Sequence, residues 1–256
     1  MLNQAQGEAN ILLARRTKRG KAFETYRIDT SGDEWMAPFA DHLGINAEEF
    51  SGVRSLFSAD ESQVLLVEGQ IDVEYFEFLR DHPCDCDKLF SSVEVVPYGG
   101  KDTLKNTLLV QFVLKKFDRV FVSYDLDAQK EISHALSRAG LVESQHAALG
   151  ISQPGKNCIE GLLPTRVLSA VMARETDLVM QLSSAVDRKK AKDELKKKYL
   201  AEFKSHTDYT KEELKHLSNV IRRANAWLAP HTASTDRRQK AALAPVKQRK
   251  TTPPTG

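Results

Sequence analysis

Between residues 61 and 165, short apolar runs alternate with longer stretches in which apolar residues recur every three or four positions. The apolar runs predict strands at 64–67, 93–96, 120–122 and 147–151, and the periodic stretches predict helices at 72–80, 103–116 and 128–139. The runs lack polar alternation, as expected for strands that helices cover on both faces. The pattern therefore predicts an α/β fold, a Rossmann-like parallel sheet with helices on both faces.

The segments on either side of this region have different patterns. Residues 1–60 combine an apolar patch, a basic stretch and a helix-like spacing after Trp35, which predict a strand pair followed by a helical connector. Residues 166–229 have apolar positions at three- and four-residue steps throughout and predict a small helical domain, appended to the sheet domain or inserted in it. Residues 230–256 have little apolar content and predict a disordered basic tail.

Composition and charge limit the classes of protein to which this chain can belong. Hydrophobic residues make up 41% of the 256 residues, and no apolar run reaches the roughly 20 residues of a membrane span. We expect no membrane association. The N-terminus lacks a secretory signal, and the sparse cysteines Cys84, Cys86 and Cys158 predict free thiols, so we expect a cytoplasmic protein. The net charge is +2, but residues 231–256 hold six Lys or Arg against one Asp, a modest sign of nucleic-acid binding.

Acidic residues stand where two of the predicted strands end. Glu68 follows Val67, and Asp125 and Asp127 follow the 120–122 strand, with Ser123 at the same parity. Because the carboxyl ends of parallel strands face one crevice, we expect these side chains to converge. Crowded carboxylates repel each other unless a divalent cation lies between them. The sequence therefore predicts a Mg²⁺ or Mn²⁺ site.

Two further acids extend this set. Asp72 falls in the first turn of the helix after Glu68, where an acid also serves as an ordinary helix cap. Glu160 ends a third acidic segment, Lys156-Asn-Cys-Ile-Glu160. Both are candidate metal ligands.

A glycine pair follows the second strand of the sheet. Gly99 and Gly100 would let backbone amides approach a phosphate near a helix start, with Lys101 assisting. A plain turn from strand to helix needs glycine as well, so both interpretations stay open. No Gly-x-x-x-x-Gly-Lys-Ser/Thr sequence occurs, so the chain has no ATP-binding loop of that kind.

The set Val-Glu68-Gly-x-x-Asp72, Gly99-Gly100 and Asp125-x-Asp127 resembles the Toprim domain shared by topoisomerases, bacterial primases and OLD (overcoming lysogenisation defect) family nucleases. Within this group, the chain is most similar to class 2 OLD nucleases, over about residues 40–165. Ser123, Glu160 and the sequence leading into the Glu68 strand carry that closer similarity. The helical segment resembles the family only loosely.

The resemblance implies a metal-dependent DNA endonuclease, nicking or exonucleolytic, normally fused behind an ABC-type ATPase domain. Residues 61–165 would be the Toprim catalytic domain, and residues 1–60 the remnant or connector of a preceding ATPase domain. DNA would be the partner, and an oligomer is compatible with the sequence. Two ions would act in hydrolysis. The implied ligands are Glu68 and Asp72 for one ion, Asp127 and Glu160 for the other, Asp125 as the bridge and Ser123 in support.

The resemblance also implies a lysine that faces the scissile phosphate. Lys156 is our candidate because it lies near Glu160, and lysines of the helical segment such as Lys189 and Lys190 compete with it.

Two alternatives to the nuclease remain. The chain could be a Toprim nucleotidyl- or strand-transfer module, as in primases and topoisomerases, or a non-catalytic DNA-binding module. Topoisomerases need a catalytic tyrosine and clamp domains that do not fit in 256 residues, and the cysteines supply no primase-like zinc site. A binding module would not need acids that repel phosphates. The sequence does not determine the DNA form, the cleavage mode or the oligomeric state.

Overall fold

The computed structural model describes residues 61–229, Ser55, Leu56 and Ala59, and the backbone of residues 11–16 and 23–28. Strands β1 (Ile11–Arg16) and β2 (Phe23–Ile28) pair in antiparallel fashion, which confirms the predicted strand pair. The predicted tail at 230–256 and nearly all of the predicted helical connector lie outside the described residues.

Four parallel strands form the central sheet, as the sequence predicted. They are β3 (Gln63–Val67), β4 (Val93–Pro97), β5 (Arg119–Asp125) and β6 (His146–Leu149), in the spatial order β4-β3-β5-β6. The chain passes from β3 outward to β4 and then returns to the other side of β3 to form β5, so the order reverses between β3 and β5. Open α/β sheets bind ligands at this point, outside the carboxyl ends of the strands.

Seven α-helices surround the sheet in the described part of the chain. They are α1 (Gln70–Asp81), α2 (Thr107–Lys116), α3 (Gln129–Arg138), α4 (Thr165–Arg174), α5 (Thr176–Gln181), α6 (Arg188–Lys204) and α7 (Lys215–Leu228). None of these helices is both long and apolar enough to cross a lipid bilayer.

The helix predicted at 103–116 is interrupted. A 3-10 turn covers Thr103–Lys105, and α2 begins only after Asn106. The Asn106 side chain accepts hydrogen bonds from the backbone N–H groups of Leu108 and Leu109, at 3.1 and 3.2 Å. These bonds satisfy two donors that a helix start otherwise leaves free, so a new helix begins there.

One hydrophobic core covers each face of the sheet. Because alternate strand residues point to opposite faces, Val64 and Leu66 join the core beneath α2 and α3, whereas Leu65 and Val67 join the core beneath α1, α6 and α7. The second core includes buried residues of the later helices, among them Phe203. The helices after residue 165 therefore pack directly on the sheet.

Two of the three cysteines differ from the expected free thiols. Cys84 and Cys86 form a disulfide in the loop after α1, where their Cα atoms lie 5.5 Å apart, a separation that a disulfide can bridge. The prediction of free thiols was wrong for this pair, and Cys158 is free.

Candidate active site at the carboxyl edge of the sheet

The reversal point of the sheet presents acids from two neighbouring strands. Glu68 follows β3 directly, and Asp125 is the last residue of β5. Burial raises the pKa of both carboxyls, to about 8 for Asp125, and the charge of Glu68 adds to the rise at Asp125. The exposed Asp127, in the 3-10 turn Leu126–Ala128, likewise raises the pKa of Glu68. The structure thus brings these three acids together.

Asp72 belongs to the same cluster and also caps α1. Its Oδ2 accepts a hydrogen bond from the backbone N–H of Gly69 at 3.0 Å, as in an ordinary helix cap. The residue is only 6% exposed. Burial and the neighbouring charge of Glu160 raise its pKa to about 7. Asp72 is therefore a helix cap and, at the same time, a candidate metal ligand.

Glu160 is the least satisfied charged group of the site. It lies in the 3-10 turn Ile159–Leu162 and is 5% exposed. Apart from the weakly donating Cys158 thiol, no group of the described residues hydrogen-bonds to its carboxylate. Its ion-pair partner there is Lys196, whose Nζ lies 4.0 Å from Oε1.

The loop before Glu160 is fixed by close backbone packing. The N–H of Leu126, next to Asp125, donates to the carbonyl of Asn157 at 2.8 Å, and this bond links the end of β5 to the loop. A Cβ atom at Gly161 would overlap the carbonyl group of Lys156, so only glycine fits there. These contacts hold Glu160 against the strand-end acids.

Lys196 is the cation of the site, and the sequence did not single it out. It lies on α6, and burial opposes its charge, but the carboxylates of Glu160, Asp125 and Asp72 outweigh burial and raise its pKa. Its charge in turn opposes the rise in the pKa of the three acids Glu68, Asp72 and Asp125. The periodicity of α6 places Lys196 on a helix face but does not show that this face meets the acids.

Lys156, the lysine that we selected from the sequence, lies in the loop that carries Glu160, where its carbonyl accepts from the N–H of Ile151 at 2.7 Å. Its side chain is not among the charges with the largest effects on the pKa values of Glu68, Asp72 and Asp125, whereas that of Lys196 is. The structure therefore offers Lys196 as a further candidate for the lysine of the site.

The glycine pair forms a turn that holds Glu68. The N–H groups of Gly99 and Gly100 both donate to the Glu68 carbonyl, at 3.1 and 3.2 Å, and both residues have positive φ, at 80° and 109°. Amides used in this way are not free to bind a phosphate, so the plain-turn interpretation fits the structure. Lys101 is exposed, and its charge opposes the rise in the Glu68 pKa.

Ser123 lies beneath the acids and does not open onto the crevice. It is fully buried, and its Oγ donates to the Leu66 carbonyl at 3.0 Å, while the Tyr98 hydroxyl donates to the Ser123 carbonyl at 3.1 Å. These bonds connect β3, β5 and the end of β4. Ser123 therefore supports the acids from below.

The acids of the cluster have the donor chemistry of a divalent-cation site but not its closed geometry. As the side chains stand, no three His, Cys, Asp or Glu residues of the described chain converge closely enough to hold one ion. The donor set nevertheless suits Mg²⁺ or Mn²⁺, because every donor is a carboxylate oxygen and a cation would offset the burial and repulsion that raise the pKa of Glu68, Asp72 and Asp125. The buried carboxylate of Glu160 lacks the partners that an ion would supply. The residues that could hold ions are Glu68, Asp72, Asp125, Asp127 and Glu160.

Comparison with protein-family models, with curated proteins and with solved structures gave no match to this chain. The molecule is an α/β protein with a four-stranded parallel sheet and an acidic cluster at the reversal point of that sheet.

Proposed function

We propose that this protein is a divalent-metal-dependent nuclease that hydrolyses phosphodiester bonds of DNA at the acidic cluster. One observation carries the proposal: acids from two adjacent strand ends meet the buried Glu160 and the cation Lys196 at the reversal point of the sheet. Strongly shifted acids in a crevice are typical of functional sites. The resemblance to the Toprim region of OLD nucleases, which work with an ABC-type ATPase domain, supports the same activity.

The acids and Lys196 have separate parts in this scheme. When bound, Mg²⁺ or Mn²⁺ would supply an activated water and stabilise the leaving oxygen. Glu68, Asp125 and Asp127 would hold ions from the sheet edge, and Asp72 and Glu160 from the side of α1 and the 159–162 turn. Asp72 and Asp125, with pKa values of about 7 and 8, would release their protons on ion binding. The Lys196 ammonium would stabilise the additional negative charge of the phosphoryl group in the transition state.

The proposal is tested with two Asp→Asn variants at opposite ends of β5. Asp125 ends the strand in the cluster, whereas the exposed Asp118 immediately precedes it at the far edge of the sheet. We expect the wild-type chain and Asp118→Asn to cleave supercoiled or linear DNA with Mg²⁺ or Mn²⁺ and not with EDTA. Asp125→Asn should be about 10³-fold slower, the usual scale for loss of a central charged group.

Circular dichroism and thermal unfolding serve as the control for folding in both variants. Undiminished cleavage by well-folded Asp125→Asn would refute the assignment of the site. Absence of cleavage by the wild-type chain with each divalent ion in turn would refute the nuclease.

A further inference from the structure

On the basis of the proposed function, we infer that the first half of α6 binds the phosphate backbone of a nucleic-acid strand and leads it to the acidic cluster. The contact surface consists of Arg188, Lys192 and Lys196, which we call the basic ridge. Lys196 stands at the acids, and the other two extend away from them toward the helix start.

The helix repeat places the three cations in a row. Residues four apart on an α-helix are turned by only about 40° and lie about 6 Å apart along the axis. Arg188, Lys192 and Lys196 therefore share one face over about 12 Å. The first two are exposed, and the charge of Lys192, like that of Lys196, opposes the rise in the Glu68 pKa. The row thus begins in solvent and ends at the acids.

The same face continues into the core at the other end of α6. Phe203, seven residues after Lys196 and so nearly on the same line, is fully buried against the sheet. The face that anchors the helix in its second half is the face that carries cations in its first half. In the first half of α6, Ala191 and Leu195 are buried beside these cations, so the basic ridge lies on a helix that is held in place along its length.

The charges of the ridge are unfavourable for the helix itself. The first turn of α6 contains Arg188, Lys189 and Lys190 and no acid, although the positive end of the helix dipole disfavours cations there. Within the described chain, no carboxylate lies within ion-pair distance of Arg188, Lys189 or Lys192. By contrast, the later lysines of α6 are paired: Lys197 with Glu194, Lys198 with Glu175 and Lys204 with Glu74. The unpaired cations gain their compensation from an external anion.

A row of cations suits a strand of phosphates better than a small anion. A single phosphate is bound by groups that converge on one point, whereas these three side chains are spread along a line. The acids of the cluster repel the backbone of a substrate, and cations beside them are needed to offset that repulsion. The ligand class that fits is a nucleic-acid strand, held by its backbone without reading of the bases.

Two charge-matched double variants of the full chain test the ridge. Arg188→Gln/Lys192→Gln removes two ridge cations, and Lys197→Gln/Lys204→Gln removes two paired cations that lie away from the ridge on the same helix. The probe is a fluorescein-labelled DNA strand of about 20 nucleotides, measured by anisotropy in EDTA over a range of salt concentrations. Both variants keep the basic tail, so its contribution cancels.

We expect the ridge variant to bind roughly tenfold more weakly at low salt. Its plot of log affinity against log salt should be shallower by about 1.4, or 0.7 for each lost phosphate contact on a single strand. The Lys197→Gln/Lys204→Gln variant should stay close to the wild type. Equal losses of DNA affinity in the two variants, or no loss in either, would overturn the proposal that the basic ridge binds DNA.

A second measurement locates the contact directly and separates the two proposals. Bound DNA should protect Lys192, but not Lys197, from acetylation detected by mass spectrometry; equal labelling of both would overturn the ridge. A chain that shows this protection and the altered salt slope, yet cleaves DNA with no divalent ion, would refute the nuclease alone. A chain that cleaves DNA while its two double variants bind alike would refute the ridge alone.

Discussion

Two groups of charged side chains in this protein differ in whether their surroundings favour the ionised form. Around Arg166, opposite charges lie close together: the guanidinium lies 3.1 Å from Asp208 and 2.8 Å from Glu213, and it stacks over the Tyr209 ring at 4.8 Å. Hydrogen bonds from Arg166 and Thr210 lower the pKa of Asp208 and Glu213, respectively. In the acidic cluster, burial raises the pKa of Asp72 and Asp125 instead, to about 7 and 8.

The difference separates charges that stabilise the fold from charges that oppose it. The Arg166 network favours the ionised forms of its acids, so it contributes to folding at neutral pH. Burial disfavours ionisation of Glu68, Asp72 and Asp125, and the buried Glu160 has only the weakly donating Cys158 thiol as a hydrogen-bond partner among the described residues. Acids whose ionisation opposes folding, and which nevertheless lie together at one edge of the sheet, indicate a role in binding or catalysis.

Besides the loss already expected for Asp125→Asn, the largest effect should come from removing the cation of the cluster. We expect Lys196→Met to slow DNA cleavage by about 10²–10³-fold, because a positioned charge that stabilises a transition state contributes on that scale. Lys197→Met is the matched control, since Lys197 pairs only with the nearby Glu194 among the described acids. Plasmid nicking rates under saturating Mg²⁺ or Mn²⁺ provide the measurement. Equal rates for the two variants would remove Lys196 from the mechanism.

The second effect concerns stability and has a defined pH dependence. The pKa of Asp125 is about 8 in the folded protein and about 3.9 in an unfolded chain. The folded state therefore holds this proton more tightly, and stability falls as pH rises between these values. We expect Asp125→Asn to avoid this loss and to exceed the wild type by about 2–3 kcal/mol at pH 9, with little or no gain near pH 4.

Urea unfolding in EDTA at pH 4, 7 and 9 measures this difference. Asp118→Asn, at the other end of β5, should keep the wild-type pH profile. A gain for Asp125→Asn that does not grow with pH would contradict the unfavourable ionisation of this acid.

The smallest effect is expected in the Arg166 network, and its sign is opposite. Arg166→Gln removes partners from Asp208 and Glu213 and should destabilise the protein only slightly at pH 7, because water and salt screen these exposed ion pairs. The pKa of both acids is lowered in the fold, so their contribution is present above the unfolded pKa values and disappears as pH falls. The loss of unfolding free energy caused by Arg166→Gln, measured with urea, should therefore be smaller at pH 3 than at pH 7. A loss that does not change with pH would assign the effect to the packing of Arg166 on Tyr209.

The strands and the acids that follow them could be predicted because both depend on local pattern. Apolar runs without polar alternation identified β3 and β5, and the parity of Asp125 with Ser123 placed them on one face. A parallel sheet then forces the residues at the ends of neighbouring strands together. The amphipathic spacing located the helices, but the start of α2 depended on the Asn106 side chain, which competes locally with the continuing helix.

The lysine and the glycine turn depended on contacts between distant segments. Lys156 was selected for its nearness to Glu160 in sequence, whereas Lys196 reaches Glu160 because α6 packs across the sheet. Cations occur on every side of α6, and periodicity alone does not tell which side faces the acids. Likewise, two glycines are compatible with a phosphate site or a turn, and only the position of the Glu68 carbonyl decides between them.

The hydrogen bonds beneath the acids and the backbone packing beside Glu160 hold the two sides of the site in place. Ser123 and Tyr98 connect the strands under Glu68 and Asp125, and the contacts of Asn157 and Gly161 hold the 3-10 turn that carries Glu160. Mg²⁺ requires nearly octahedral oxygen ligands at about 2.1 Å, and Ca²⁺ accepts more ligands at about 2.3–2.6 Å. Under the proposed function, the separation that these backbone contacts impose on the carboxylates would therefore set the ionic radius that the site prefers.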